Sequence, residues 1–221
     1  SALIARCAQT TRCGFARDGA REPLSSLLYN RRFSVARDQH AVERNRQLAA
    51  QALGYALEGQ ADYGIQPPPF SRPVWLMEGA YAVLLHATSR ADKLWDEANW
   101  IALGRYLHEK NIRCVLPWGS AAEQARSLRL AATIADAVVP PRLSLNEAAA
   151  LLGGAQAAIG VDTGLAHLAA ALNVPTVGIY TTTDPALTGL HAGRRAINLG
   201  GINRAPDVAA VIAALHEAAA C

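Results

Sequence analysis

Three signatures are missing from the strand-to-helix turns of this 221-residue chain: G-x-G-x-x-G, G-x-x-x-x-G-K-[ST] and G-x-S-x-G. Hydride transfer on a dinucleotide, Walker-type ATP hydrolysis and serine hydrolysis lose their usual sequence support. Cysteine is scarce, at positions 7, 13, 114 and 221, and no two stand in the C-x-x-C spacing of zinc or redox sites. The four read as reduced thiols, and no metal site is expected. Long apolar runs are also lacking. The longest nearly uncharged apolar stretch, Ala148 to Val161, is broken by Gly153, Gly154 and Gln156 and falls short of the about 20 residues that span a bilayer. No secretory leader is visible at the start, where Arg6 and Arg12 stand too close together to flank an apolar core, so a cytoplasmic location is expected.

What is present is a chain that is 51% hydrophobic, long enough for one large domain or one domain with part of another. A net charge of +3 is too small to announce nucleic acid, but it is uneven. Residues 1–58 hold nine arginines, no lysine and five acidic residues, against twelve basic and thirteen acidic in the remainder. The front is the basic end.

The segment from Ser1 to Ala8, which opens without Met, reads as the inside of an amphipathic helix with Leu3, Ile4 and Cys7 on one side. The expectation is a chain that starts in mid-element, methionine removal being the alternative. Residues 14–37 lack periodicity and carry Gly, Pro and Asn, which predicts a long, partly ordered loop. His40 to Leu53 follows as a helix with Val42, Leu48, Ala49, Ala52 and Leu53 as its buried stripe, closed by Gly54. Residues 55–72, ending in GIQPPPFSRP, read as a stiff connector and place a domain boundary near residue 70.

From Val74 onward strands and helices alternate. Strands are predicted at Tyr81–His86, Arg113–Pro117, near Ala137–Val139, at Ala157–Val161, Thr176–Tyr180 and Ala196–Leu199. The intervening helices are Glu97–Lys110, Ser120–Ala132, Ser144–Leu152 with a Ser144/Glu147 capping box, Leu165–Leu172 and Asp207–Ala219. The pattern argues an α/β fold with a doubly wound parallel sheet of five or six strands. Ligands of such sheets bind outside the carboxyl ends of the strands, and three polar loops fall there.

The first loop, His86 to Trp95, carries Thr88, Ser89, Arg90 and Lys93, whose hydroxyls and positive charges suit a phosphate; the alternative is a solvated loop around a buried Trp. The second, Pro117 to Ser120, leads to Glu123, either a carboxylate favoured by the helix dipole or an acceptor of ribose hydroxyls. The third is Asp162-Thr163-Gly164. Asp162 is either an N-cap or a partner of sugar hydroxyls, while the backbone N–H groups of Thr163, Gly164 and Leu165 face outward and attract phosphate. His167, one turn into the helix, either reaches the rim or packs inside. A further polar loop, Thr181 to Asp184, closes the second strand of this βαβ unit at the same rim.

The motifs VDTGLAHLAAALNVPTVGIYTTTDP, LLHATSRADKLWDEANW, CVLPWGSAAEQARS, AREPLSSLLYNRR and QHAVERN resemble, in that set, the heptosyltransferase I family of lipopolysaccharide biosynthesis, within the GT-B glycosyltransferases. The resemblance runs along nearly the whole chain. It implies two Rossmann-like domains facing a cleft: here residues 1–70 as the end of an acceptor-binding domain with its linker, and 71–221 as the donor-binding domain, whose final helix can return to the first. The implied activity is transfer of L-glycero-D-manno-heptose, with inversion, from ADP-heptose to Kdo-lipid A at the cytoplasmic face of the inner membrane, with no cofactor, metal or nucleic acid. Lys93 and Asp162 would carry the catalytic roles. Thr88 and Ser89 would join Lys93 at the pyrophosphate and heptose, Glu123 would meet the ribose, Leu143 the adenine, Thr163 and Gly164 the phosphates, and His167 the same pocket. The family's general-base Asp has no match here, which implies that this chain is inactive alone. Two other readings remain: a non-catalytic nucleotide-binding remnant, and a sugar-nucleotide 2-epimerase of the same architecture.

Overall fold

The computed structural model describes residues 2–220 and folds into two compact units, Ser1–Ala61 with Ala186–Thr188, and Asp62–Pro185 with Gly189–Cys221. The smaller unit contains α1 (Ala2–Arg6), β1 (Cys13–Phe15), β2 (Arg31–Phe33) and α2 (Ala41–Leu53). Ser1, assigned to the first helix from sequence, lies outside the described residues. The stretch 14–37 is more ordered than expected. Its ends are parallel strands in register, Cys13 beside Arg31 and Phe15 beside Phe33, with a 3-10 turn at Pro23–Leu28 between them. Strands of three residues are too short to show alternation.

His40 caps α2 by accepting the Val42 N–H, and Gly54 ends it with a left-handed φ of 76°, which a glycine adopts without steric cost. The predicted apolar stripe is displaced. Ala50 is the buried residue, and Leu53 is 78% exposed. Several arginines of this unit serve as staples: Arg12 Nε reaches the Leu28 carbonyl at 3.1 Å, Arg44 bonds the Gly19 carbonyl and lies over the Phe15 ring, and Arg46 holds the carbonyls of Glu58 and Gly59. Arg6, Arg17, Arg21, Arg31, Arg32 and Arg37 are exposed.

The larger unit continues with β3 (Tyr81–Leu85), α3 (Glu97–Glu109), β4 (Arg113–Val115), α4 (Ala121–Ala131), α5 (Leu145–Gly153), β5 (Ala157–Val161), α6 (Gly164–Ala171), β6 (Thr176–Tyr180), the first residue of α7 (Pro185–Thr188), whose other residues belong to the smaller unit, β7 (Ala196–Gly200) and α8 (Val208–Ala220). Its five strands are all parallel, in the order β4-β3-β5-β6-β7. The strand expected near Ala137–Val139 is reduced to a single bridge from Val138 to Val115. Residues 55–72 form no helix or strand, and Pro67 and Phe70 lie against Gly153 and Gly154.

Apolar runs such as YAVLL and AAIGV form strands buried on both faces, as parallel sheets require. Alternate side chains feed two cores. Ala82 and Leu84 join Trp100, Leu103, Leu130 and Leu215 on one face, while Tyr81, Val83 and Leu85 join Leu152, Ala166 and Ala169 on the other. Burying each large aliphatic side chain contributes about 1.5–3 kcal/mol. At Gly160 a Cβ would stand 3.0 Å from Leu85 Cβ and 3.1 Å from Ala166 Cβ, so the absence of a side chain lets α6 lie close to the sheet. From β3 the chain moves outward to β4 and returns to the other side of β3 as β5, so the strand order reverses between β3 and β5. Open α/β sheets bind ligands at such a switch point, beyond the carboxyl ends of the strands.

Candidate functional site

β3 is followed directly by His86, which is wholly buried and shares a 2.8 Å hydrogen bond with Ser127 Oγ of α4. The loop that follows is anchored again at Trp95. The Trp95 indole donates to the Pro206 carbonyl at 2.9 Å and meets Trp100 edge to face, with ring centroids 5.2 Å apart. Between these anchors the 3-10 turn Ala91–Lys93 presents the lysine. Arg90 pairs with Asp92 within the same turn.

β5, the neighbour of β3 across the switch point, is followed directly by Asp162. The N-cap of α6 is Thr163, in extended conformation and without a side-chain capping bond. The carboxylate of Asp162 is therefore not spent on the helix start, which removes the capping alternative for this residue. It turns instead to Lys93, whose Nζ lies 2.6 Å from Oδ2, in a pair whose side chains are 18% and 13% exposed. Thr183 Oγ1 donates to the same Oδ2 at 3.0 Å. His167 Nε2 stands 3.9 Å from Oδ1, with its side chain 41% exposed at the rim rather than packed inside.

The His167 imidazole is the largest influence holding the Asp162 carboxyl well below the usual carboxylate range. Hydrogen bonds from Lys93 and Thr183 act in the same direction, against the desolvation of this largely buried group. Asp162 is an anion throughout the physiological range. The backbone N–H groups that open α6 have no acceptors within the helix and offer partial positive charge beside it.

Thr88 Oγ1 donates to the Asp162 carbonyl at 3.0 Å, so its proton ties the lysine loop to the β5 turn. Ser89 is exposed in the same loop. Glu123 closes a capping box that sequence reading did not anticipate: Oε2 accepts the N–H of Gly119 at 2.7 Å and of Ser120 at 3.2 Å, and Ser120 Oγ accepts the Glu123 N–H. Leu143 is partly buried against the α5 and α6 side of the sheet. The Trp118 indole donates to the Pro140 carbonyl at 2.8 Å, joining the loop that leads to Glu123 to the loop that leads to Leu143.

Lys93, Asp162, Thr88 and His167 thus form one group, with Thr163 and Gly164 beside them in the turn. Glu123 keeps its bonds within its own capping box, and Leu143 sits in the next loop. Thr181 and Thr183 are the site residues that a residue-by-residue reading missed. Their signal was present in the run Thr181-Thr182-Thr183-Asp184 at the carboxyl end of a strand, but one hydroxyl among three carries no mark of its partner. A fixed cation, a fixed anion and a helix start in one place suit a ligand that joins phosphate to hydroxyl-bearing sugar.

A family model described as glycosyltransferase family 9 (heptosyltransferase) matches residues 1–215. The chain is 48% identical to lipopolysaccharide heptosyltransferase 1 of Pseudomonas aeruginosa over 87% of its own length and 54% of that protein's. It is 45% identical to lipopolysaccharide heptosyltransferase 1 of Escherichia coli K12 over 86% of its own length and 59% of that protein's. The chain therefore spans little more than half the length of these curated relatives. Among solved structures, the E. coli heptosyltransferase WaaC with ADP aligns at a TM-score of 0.84 and 39% identity, covering 98% of this chain and 68% of that one.

Proposed function

The chain belongs to glycosyltransferase family 9, the heptosyltransferases, and on that premise we propose that its larger unit is the donor side of an ADP-heptose:lipopolysaccharide heptosyltransferase. The observation that carries the reading is the Lys93–Asp162 pair at the strand-order reversal, beside the start of α6. In this reading the amides of Thr163 and Gly164 take the phosphates, helped by Lys93 and the Ser89 hydroxyl. The Asp162 charge repels phosphate and accepts heptose hydroxyls, with His167 beside it. Glu123 meets the ribose through the oxygen outside its capping box, and Leu143 lies against the adenine.

Transfer is a displacement at the anomeric carbon. The acceptor hydroxyl oxygen forms the new bond to carbon, the bond from that carbon to the phosphate oxygen breaks with inversion, and ADP leaves with the bonding electrons. Lys93 and the amides of α6 stabilise the negative charge that grows on the departing diphosphate. The hydroxyl proton passes to a base that is assigned to no residue of this chain. The exposed arginines of the smaller unit suit an anionic acceptor, Kdo-lipid A, presented at the cytoplasmic face of the inner membrane.

Titration calorimetry with ADP and with ADP-heptose tests the donor site. Both are expected to bind, and a chain that binds neither overturns the proposal. A turnover assay with Kdo-lipid A is expected to give no transfer by this chain alone; transfer would place the base within it.

A further inference from the structure

The loop after β6 touches one member of the ion pair at the switch point and the turn that carries the other. Thr183 Oγ1 donates to Asp162 Oδ2 at 3.0 Å, the oxygen that Lys93 Nζ holds at 2.6 Å. Two residues earlier, Thr181 Oγ1 donates to the carbonyl of Asp92, the residue before Lys93, also at 3.0 Å. One loop therefore braces the turn that carries the cation and the carboxylate that carries the anion.

The chemistry of a carboxylate gives this arrangement a consequence. Each carboxylate oxygen offers about two acceptor sites. Lys93 and Thr183 together occupy those of Oδ2, which leaves Oδ1, on the His167 side, as the oxygen available to a ligand. With Lys93 alone, the carboxylate can turn about its bond to Cβ and present either oxygen to the same flexible ammonium. A second donor, from a different strand end, removes that freedom. β5 and β6 are paired in register up to Val161 and Ile179, so the loop that carries Thr183 leaves the sheet beside the turn that carries Asp162.

We infer that Thr183 is a positioning residue of the donor site, fixing the Asp162 carboxylate so that Oδ1 faces the sugar of a nucleoside diphosphate sugar. The inference rests on the donor-site reading and adds a residue to which neither the sequence motifs nor the comparisons give a role. It separates sugar from nucleotide: the threonine acts through Asp162, so its removal weakens recognition of the sugar and spares the diphosphate, which the α6 amides and Lys93 hold.

The test is calorimetry of the 221-residue chain with ADP and with ADP-heptose at neutral pH, for the wild type, Thr183→Val and Thr183→Ser. Valine keeps the shape and removes the donor. The expected result is about a tenfold weaker ADP-heptose affinity for Thr183→Val at neutral pH, the scale of one hydrogen bond to a charged group. ADP affinity is expected to stay within about twofold, and Thr183→Ser to recover ADP-heptose binding. Equal loss for ADP and ADP-heptose, or a valine variant that matches the wild type for both, overturns the positioning role while leaving the donor site standing. A wild type that binds neither nucleotide overturns the donor-site reading, and this inference with it.

Discussion

His86 and Ser127 share a 2.8 Å hydrogen bond, Nε2 to Oγ, with both side chains wholly shielded from solvent. The bond ties the end of β3, where the Lys93 loop begins, to α4, whose first turn carries Glu123. Burial first, and then the charge of Arg126, lowers the His86 pKa to about 4. The ring is neutral in the folded protein at physiological pH.

That burial predicts a pH-dependent stability. Between pH 6.5 and about 4 the unfolded chain takes up a proton at this position and the folded chain does not, so stability falls as the pH is lowered through that window. The loss from this group approaches about 3 kcal/mol at the bottom of the window. The Asp162 carboxyl, depressed likewise, acts in the same direction but mainly below this window, since its contribution is lost as the pH falls from the ordinary carboxylate range toward its lowered value. Urea unfolding of the wild type and His86→Asn across this range checks the prediction. The asparagine variant is expected to show the shallower pH dependence, whatever its stability at pH 7.

Lys93→Ala and Asp162→Ala should differ in what they lose. Removing the lysine weakens ADP and ADP-heptose together, by about tenfold or more, because charge is lost beside the diphosphate. Removing the carboxylate weakens ADP-heptose by a similar factor but leaves ADP bound as well as before or better, since a repulsive charge has gone. Near-identical circular dichroism spectra, with calorimetry on both nucleotides, make the comparison. In the longer family members the same two substitutions are expected to cut transfer by about an order of magnitude or more.

At Glu123, capping and ligand contact can be separated. Glu123→Ala removes the side chain from the capping box of α4 and should cost about 0.5–2 kcal/mol of stability as well as nucleotide affinity. Glu123→Gln suits the same capping position, so it should keep most of the stability while still weakening ADP. Thermal melts paired with calorimetry distinguish the two losses.

Gly160→Val should destabilise the larger unit by about 1–3 kcal/mol, because the added carbons enter the space between Leu85 and Ala166. The residue lies two positions before Asp162, so ADP-heptose affinity should fall with the stability. Denaturant unfolding and calorimetry on the same sample read both effects.

The βαβ unit was the most legible part of the chain. Its strands occupy the predicted residues, 157–161 and 176–180, and its helix is displaced by a single position. A continuous apolar run bounded by polar turns has one good solution when both faces of a sheet are covered. The Ser144 capping box was equally clear, because both of its partners lie within four residues. What sequence did not resolve depended on distant partners. β1 and β2 exist through pairing across fifteen intervening residues, and Leu53 remains exposed although it follows the helical period. Asp162 looked as suited to a helix cap as to a ligand until Lys93 and Thr183, remote in sequence, were seen on one of its oxygens.

The strand order also bears on how the site comes into being during folding. β3 and β4 are joined by one helix, as are β5 and β6, so each pair closes a short loop. The β3–β5 contact instead closes over everything from Leu85 to Ala157, and non-local pairings of that kind are the slow events of folding. Lys93 belongs to the first pair and Asp162 to the second. Nucleotide binding, followed by stopped flow during refolding, should therefore emerge after most helical signal has returned, reporting the moment at which the two halves of the sheet join.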